Sequence, residues 1–123
     1  MMHYDLDAYK SSMNLVKSIY QLTSSFPRDE LWGLTSQMKR AVISIPANIA
    51  EGCARKTTKE LLYFLNISLG SITELKTHIE IADLLGFITE NLNRDSCINL
   101  AETTKKQLIG LIKANERKLT PHH

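Results

Sequence analysis

The stretch from Leu61 to Ala82 places apolar side chains at the spacing of packed helices. Steps of four and three alternate over three heptads, at Leu61, Leu65, Ser68, Ile72, Leu75, Ile79 and Ala82. This alternation is typical of left-handed bundle packing, so the stretch is predicted to be the third helix of the chain. Thr57 and Glu60 predict a capping box at its start, and Gly86 predicts its end.

A second helix is predicted to end at Gly52, and its start is open between Pro27 and Leu34 because Gly33 interrupts the pattern. It has an apolar side that consists of Leu31, Met38, Val42, Ile45 and Ile49. Pro46 removes one backbone hydrogen bond from this helix. The apolar positions keep their phase across the proline, so the sequence predicts a kink there rather than a chain reversal. The side chains of Ser44 or Asn48 could bond the freed carbonyl groups.

Two further helices complete the pattern. The first runs from Asp7 to Ser24, with a core side of Tyr9, Met13, Val16, Tyr20 and Thr23 that is widened by Leu15, Ile19 and Leu22. The last begins at Thr89, with a core side of Cys97, Ala101, Thr104, Leu108, Leu111, Asn115 and Leu119. Because Thr104 and Asn115 are polar, either the far end of that side is wet or the two residues bond across the bundle.

Four helices with short connections and no strand pattern predict an all-α fold, an antiparallel up-down-up-down four-helix bundle. The 123 residues are predicted to form one domain, 1–123, since this length supports a single core. No apolar run reaches the roughly 18 residues of a membrane span, so a cytoplasmic protein without a membrane partner is expected. Cys53 and Cys97 lack metal-binding spacing and are expected to be reduced and at least partly buried.

The outer side of the second helix carries small, amide and charged residues. They recur as Gln37, Arg40, Ser44, Asn48, Glu51 and Arg55. Side chains of this kind suit hydrogen bonding to something other than water, so we interpret this side as a contact surface. The alternative is an ordinary solvated helix face.

Charge is segregated along a chain whose formal net charge is only +2. Residues 39–59 and 101–123 carry net charges of +4 and +3, whereas residues 60–95 carry −4. Basic clusters of this kind suit phosphate contacts, and the candidate nucleic-acid-binding residues are Arg40, Arg55, Lys56, Lys59, Lys105 and Lys106. The amides at the start of the third helix would also favour anions. Solvated surface charge is the alternative.

The sequence gives no support for an enzyme, a metal or a cofactor. The di-metal sites of helical bundles need Glu-x-x-His motifs, and none occurs here. His78 is predicted to lie at the surface or at the boundary of the core. No nucleophile motif or phosphate-binding loop is present either, so a non-enzymatic protein is predicted.

The segments GLTSQMKRAVISIPANIAEG and RKTTKELLYFLNISLGSITELKTHIEIADLLGFI carry a family resemblance. They closely resemble the four-helix family named for proteins encoded in 23S ribosomal-RNA intervening sequences. The resemblance implies a four-helix bundle that assembles into closed homo-oligomeric rings, pentamers being the known form, with a biochemical role that is largely unassigned.

The same resemblance extends to the accessory variability determinants of diversity-generating retroelements, which are basic pentameric barrels that bind RNA and a reverse transcriptase. It implies that Ser44, Asn48 and Glu51, with Arg40 and Arg55, lie at or near subunit contacts or the basic surface. Of these, Arg40, Ser44, Asn48 and Glu51 are the predicted oligomer-interface residues. The chain departs from the more basic relatives in its modest charge and its acidic third helix. The expected function is therefore RNA or ribonucleoprotein binding by a self-associating bundle, and the alternative is a homo-oligomeric protein-interaction scaffold.

Overall fold

The computed structural model describes residues 2–119, which fold into four α-helices and no strand. The α-helices are α1 (Asp7–Thr23), α2 (Leu34–Cys53), α3 (Thr58–Leu84) and α4 (Asn91–Leu119). Two 3-10 helices, His3–Asp5 and Arg28–Glu30, precede α1 and α2. The all-helical fold is confirmed. Both suggested starts of the second helix are helical in part, since the 3-10 turn follows Pro27 and α2 begins at Leu34.

The four helices form a ring in which each helix packs against two neighbours. α1 contacts α2 and α4, and α3 contacts α2 and α4; within residues 2–119 the diagonal pairs do not contact. Cys97 near the start of α4 lies 3.7 Å from the carbonyl oxygen of Ser18 near the end of α1, as an antiparallel pair requires. The buried apolar side chains form one cluster along the ring axis. None of the described helices combines the length and the apolar character that a membrane crossing needs.

The predicted core side of α1 is right in part. Leu15, Ile19, Leu22 and Thr23 are buried as predicted, and Ala8 and Ser12 are buried although they were not predicted to be. Met13 is 48% exposed and Tyr20 is 41% exposed, although both were expected to face the core. The prediction followed the large apolar side chains and overlooked two small residues on the packed face.

Smaller shifts of the same kind occur in the other helices. Leu62 rather than Leu61 begins the buried side of α3, Ile112 rather than Leu111 continues that of α4, and Leu119 is exposed. Leu31 was expected on the apolar side of α2, but it precedes that helix and is exposed.

Thr104 and Asn115 in α4 do not bond across the bundle. Both are buried, and each donates to the carbonyl oxygen four residues earlier in its own helix, at 2.8 Å for Thr104 and 2.9 Å for Asn115. A helical Thr or Asn can return its donor to the preceding turn, which satisfies it without a partner helix.

Pro46 lies inside α2, which continues as one helix to Cys53. A kink at this point stays a prediction. Asn48 donates to the carbonyl oxygen of Ser44 at 2.8 Å, which is not the Val42 carbonyl that the missing N–H of Pro46 leaves free. The hydroxyl of Ser68 in α3 donates to the carbonyl of Ile45 at 2.8 Å. The proline turn is therefore bonded to the neighbouring helix.

The predicted signals at both ends of α3 are confirmed. The hydroxyl oxygen of Thr57 accepts from the Glu60 backbone N–H at 3.1 Å, which satisfies one amide of the first turn. The Glu60 carboxylate accepts from that hydroxyl at 2.9 Å, not from the Thr57 backbone. At the other end Gly86 has a φ of 77°, a left-handed conformation that glycine adopts readily.

α2 and α3 approach each other closely through small side chains. The Ser44 and Ser71 hydroxyl oxygens are 2.9 Å apart. A Cβ added at Gly52 would lie 3.0 Å from the Phe64 Cβ and 3.2 Å from the Leu61 carbonyl oxygen. The absence of a side chain at Gly52 therefore lets the two helices meet where the chain turns from one to the other.

Replacing Gly52 with Ala should destabilise the protein although Ala is the better helix former. The new methyl group would crowd a backbone oxygen, and overpacking of this kind costs about 1–3 kcal/mol. Gly110→Ala is the matched control, because a Cβ there meets nothing within 4 Å. It should stabilise the protein by about 0.5–1 kcal/mol. Urea unfolding followed by circular dichroism measures both changes, and equal effects of the two substitutions would contradict the close approach.

Cys97 and Cys53 are free thiols, the first buried and the second half-buried, as expected. Burial raises the pKa of Cys97 from 9.0 to about 11, and burial also raises the pKa of Cys53. A thiol that is kept protonated in the folded state loses stability relative to the unfolded chain once the unfolded thiol ionises.

The contribution of Cys97 to the free energy of unfolding should therefore be constant below pH 9 and fall as the pH rises toward about 11. The stability difference between the wild type and Cys97→Ala should shrink over this interval, because only the wild type holds the buried thiol. Denaturant unfolding at a series of pH values tests this. A difference that stays constant or grows across the interval would show that Cys97 is not buried as described.

Candidate nucleic-acid interface

One end of the bundle gathers basic residues from two separate parts of the chain. The link between α2 and α3 supplies Arg55 and Lys56, the first turn of α3 supplies Lys59, and the last turn of α4 supplies Lys118. We call these four residues the basic end. All four are exposed.

The link is held in place by the ends of its two helices. The backbone N–H of Ala54 donates to the carbonyls of Ala50 and Glu51, which closes α2. Thr57 is extended, with φ −117° and ψ 150°, and caps α3. Residues 54–57 thus reverse the chain in a short, bonded turn that presents Arg55 and Lys56 outward.

A cavity of about 160 Å³ lies between this link and the end of α4. It is lined by Gly52, Cys53, Arg55, Lys56, Thr57, Thr58, Leu61, Asn115 and Lys118. Asn115 is only 2% exposed, and its side-chain N–H donates to the Leu111 carbonyl oxygen at 2.9 Å. The cavity therefore combines basic side chains with one buried amide.

The charges at the basic end differ in how far they are neutralised. Arg55 pairs with Glu51, and its guanidinium lies 4.9 Å from the centre of the Phe64 ring. Lys56, Lys59 and Lys118 form no ion pair within residues 2–119. These three lysines are consequently available to bind an anion.

Acidic residues also lie near this end. Asp5 precedes α1, and Asp7 begins it and lines a cavity with α4. Glu51 lies near the end of α2, Glu60 in the first turn of α3, where it binds the Thr57 hydroxyl, and Glu116 near the end of α4. The positive field of the basic end therefore comes mainly from its three lysines that form no ion pair within residues 2–119.

The other predicted nucleic-acid-binding residues lie elsewhere. Arg40 is about 20 Å from Arg55 along α2, at 1.5 Å per residue. Lys105 and Lys106 are a similar distance from Lys118 along α4, beside an ion pair between Lys76 and Glu102. The hydrogen bond from Lys76, together with the charges of Lys105 and Lys106, lowers the pKa of Glu102. The predicted set thus divides into the basic end and two separate positions.

The predicted oligomer-interface residues lie along α2, and most of them already form hydrogen bonds or an ion pair within the chain. Ser44 and Asn48 are half-buried; Ser44 bonds Ser71, and Asn48 donates to the Ser44 hydroxyl at 2.9 Å as well as to its carbonyl. Glu51 pairs with Arg55, and Arg40 is exposed. The assignment of these residues to a subunit contact stays a prediction.

Sequence reasoning counts Lys118 among the basic residues of the last helix but does not place it beside Lys56, and it misses Asn115 as a member of this site. Their sequence distance from Lys56 conceals their proximity. An up-down-up-down topology places the end of α4 beside the α2–α3 link, so this signal was available once the topology was predicted.

Within residues 2–119 the structure gives little support for chemistry other than anion binding. Within residues 2–119 no three His, Cys, Asp or Glu side chains gather as metal ligands would. His78 is at the boundary of the core as predicted: its side chain is 13% exposed, and its Nε2 lies 3.7 Å from a Glu74 carboxylate oxygen.

Comparison with solved structures confirms the architecture. A protein of unknown function from the S23 ribosomal protein family of Bacteroides thetaiotaomicron superposes with a TM-score of 0.76. The match covers 86% of this chain and 98% of that one at 24% sequence identity, so it supports the fold alone. No curated protein matches the chain.

The model of one protein family, described as 23S rRNA-intervening sequence protein, matches residues 4–110. This range takes in α1, α2 and α3, the basic residues of the α2–α3 link, and most of α4. The chain belongs to the 23S rRNA-intervening sequence protein family.

Proposed function

We propose that this chain is a non-enzymatic, self-associating helical bundle that binds RNA or a ribonucleoprotein through its basic end. The observation that carries the proposal is the cavity between the α2–α3 link and α4, where Arg55, Lys56 and Lys118 converge. Basic groups that surround a cavity can contact phosphate groups from several directions, which solvated lysines on a flat helix face cannot do.

The start of α3 strengthens this field. The first amides of a helix have no intrahelical acceptor and carry the positive end of the helix dipole. Thr57 accepts the N–H of Glu60, and the N–H groups of Thr58 and Lys59 have no acceptor among residues 2–119. These donors and the neighbouring lysines together favour a phosphate oxygen over a neutral ligand.

The family supports RNA as the source of those phosphates. Its name connects its members with intervening sequences of 23S rRNA, and the similar Bacteroides protein is assigned to a ribosomal protein family. Binding through phosphates would be salt-dependent and only weakly sequence-specific.

Self-association is proposed from exposed apolar residues on the outer faces of two helices. Tyr63, Ile67 and Ile81 are exposed along one stripe of α3, and Ile43 is 45% exposed beside Arg40 on α2. The homopentamer and the kinship with the accessory variability determinants of retroelements belong to this proposal. The same stripe favours the second candidate function, a homo-oligomeric scaffold for proteins with no nucleic-acid role.

The absence of catalytic activity is part of the proposal. Nucleophilic cysteines need a lowered pKa and access to substrate. Burial instead raises the pKa of both thiols, Cys53 and Cys97. The matching family and the structural relative are not described as enzymes.

Reversing two charges of the basic end should weaken RNA binding. Lys56→Glu combined with Lys118→Glu removes two cations that line the cavity, one from the α2–α3 link and one from α4. Affinity for a fluorescein-labelled stem-loop RNA should fall by about tenfold or more, and the slope of log K against log salt should become shallower by about 1–2. Fluorescence anisotropy across a salt series measures both quantities.

The matched control is Lys17→Glu combined with Lys106→Glu, which makes the same change in net charge away from the basic end. Circular dichroism should be unchanged for both double variants, since all four lysines are at least partly exposed. Equal losses in the two variants would indicate a diffuse charge effect and contradict the assigned site. No binding by the wild type at low salt would leave the scaffold function.

Charged substitutions on the outer face of α2 should reduce the oligomer mass. Arg40→Glu with Ile43→Glu places two carboxylates at a contact that is proposed to bury both positions, where like charges and unpaired acids are costly. Light scattering after gel filtration should show a wild-type mass that is a multiple of 13.9 kDa and a smaller mass for the variant.

Met13→Glu with Lys17→Glu on the exposed face of α1 serves as the comparison for that measurement. Its mass should equal that of the wild type. A monomeric wild type, or an unchanged mass after the α2 substitutions, would refute the assignment of Arg40 and its neighbours to a subunit contact.

A further inference from the structure

The end of the bundle opposite the basic end exposes five large apolar side chains. Trp32 is 89% exposed, Leu84 84% and Leu92 77%, and Leu31 and Leu85 are about half exposed. We call these five residues the apolar end. Scattered exposed leucines are ordinary, but this many at one end of a small domain is typical of an interaction surface.

These residues lie in the α1–α2 and α3–α4 links or in the helix ends beside them, and the two links meet at the same end. The rings of Phe26 and Phe87, one from each link, have centroids 5.9 Å apart. The contact between Ser44 and Ser71 sets the register of α2 and α3. About ten residues further along this antiparallel pair, Leu34 is level with Ile81, so Trp32 and Leu31 lie at the level of Leu84. The Arg94–Asp83 ion pair likewise brings Leu92 to the level of Leu85.

The packing of the core does not require these side chains to be exposed. Phe26 and Phe87 already close the core at this end, since Phe26 is buried and Phe87 packs against it. Leaving a large apolar side chain in water, rather than burying it, forgoes about 1.5–3 kcal/mol of favourable free energy. A surface that covers them would therefore gain a substantial driving force.

The charges around the apolar end indicate what could cover it. Five acids lie in the adjoining segments: Asp29, Glu30, Asp83, Glu90 and Asp95. Arg28, Arg94 and Lys39, which lines a cavity with Leu31, oppose them there, which leaves a net charge of −2, and Arg94 is already engaged by Asp83 and Asp95. An acidic rim repels nucleic acid and anionic lipid, and it attracts a basic protein surface.

We propose that the apolar end is a docking site for a partner protein that presents apolar anchors flanked by Lys or Arg residues. The anchors would cover Trp32, Leu84 and Leu92, and the basic residues would pair with the acidic rim. This site is independent of the RNA-binding proposal, because it lies at the other end of the bundle and has the opposite charge.

Trp32 is the only tryptophan of the chain, so its fluorescence reports directly on this surface. The probe is a tryptophan-free amphipathic peptide of about eighteen residues with Leu on one face and Lys on the other. It should shift the Trp32 emission to shorter wavelength in a saturable titration. A matched peptide with Glu in place of Lys should bind with an affinity that is lower by about tenfold or more.

Leu92→Glu removes an anchor contact while Trp32 remains as the reporter, and it should weaken binding of the Lys peptide by about tenfold. Met13→Glu, an exposed apolar residue on the outer face of α1 that belongs to no proposed surface, should leave that binding unchanged. Absence of a shift, equal binding of both peptides, or equal effects of the two substitutions would overturn the proposal.

Two more results would overturn it in favour of another occupant. A saturable Trp32 shift with anionic phosphatidylserine vesicles would assign the apolar end to a membrane. A drop in oligomer mass caused by Leu92→Glu, measured by light scattering, would assign it to a contact between copies of this chain. Loss of RNA binding in the basic-end variants would affect neither outcome.

Discussion

The close approach of α2 and α3 is the constraint on which the rest of the structure depends. Gly52 lets the turn between the helices pass against Leu61 and Phe64, and the paired hydroxyls of Ser44 and Ser71 continue the contact midway. Ser68 binds the Ile45 carbonyl next to the proline turn. Small side chains and hydrogen bonds, rather than large apolar residues, thus set the register of this pair.

That register gives the bundle two chemically different ends. It brings the basic α2–α3 link beside the last turn of α4, and it brings the Trp32 segment level with the end of α3. The first end carries lysines without ion-pair partners within residues 2–119, and the second carries exposed apolar residues within an acidic rim. In our account, one bundle could therefore engage a nucleic acid and a protein at the same time without competition between them.

Much of the fold could be predicted from the sequence because helical periodicity and capping act locally. Thr57 caps α3 and Gly86 ends it as predicted, since both depend on a few neighbouring residues. The prediction of which side of each helix is buried was less accurate. The clearest case is α1, where Ala8 and Ser12 lie on the packed face and Met13 does not. Which of two adjacent stripes is buried depends on the partner helices, and this information is not local.

The candidate site follows the same division. Arg55, Lys56 and Lys59 could be identified because they are neighbours in sequence. Lys118 and Asn115 join them only through the topology, and Arg40, Lys105 and Lys106 are separated from them by the lengths of α2 and α4. The exposed residues of the apolar end gave no periodic signal, so nothing in the pattern marked Trp32 or Leu92 as part of a surface.

Nuclear magnetic resonance mapping of RNA on the bundle tests the central claim most directly. Amide shifts of the labelled protein would be followed as a stem-loop RNA is added at low salt. The account predicts that perturbed amides cluster in residues 52–60 and 115–119, with the links that contain Phe26 and Phe87 unaffected. Perturbations centred on Arg40 or Lys105, or spread evenly over the surface, would contradict an RNA site at the basic end.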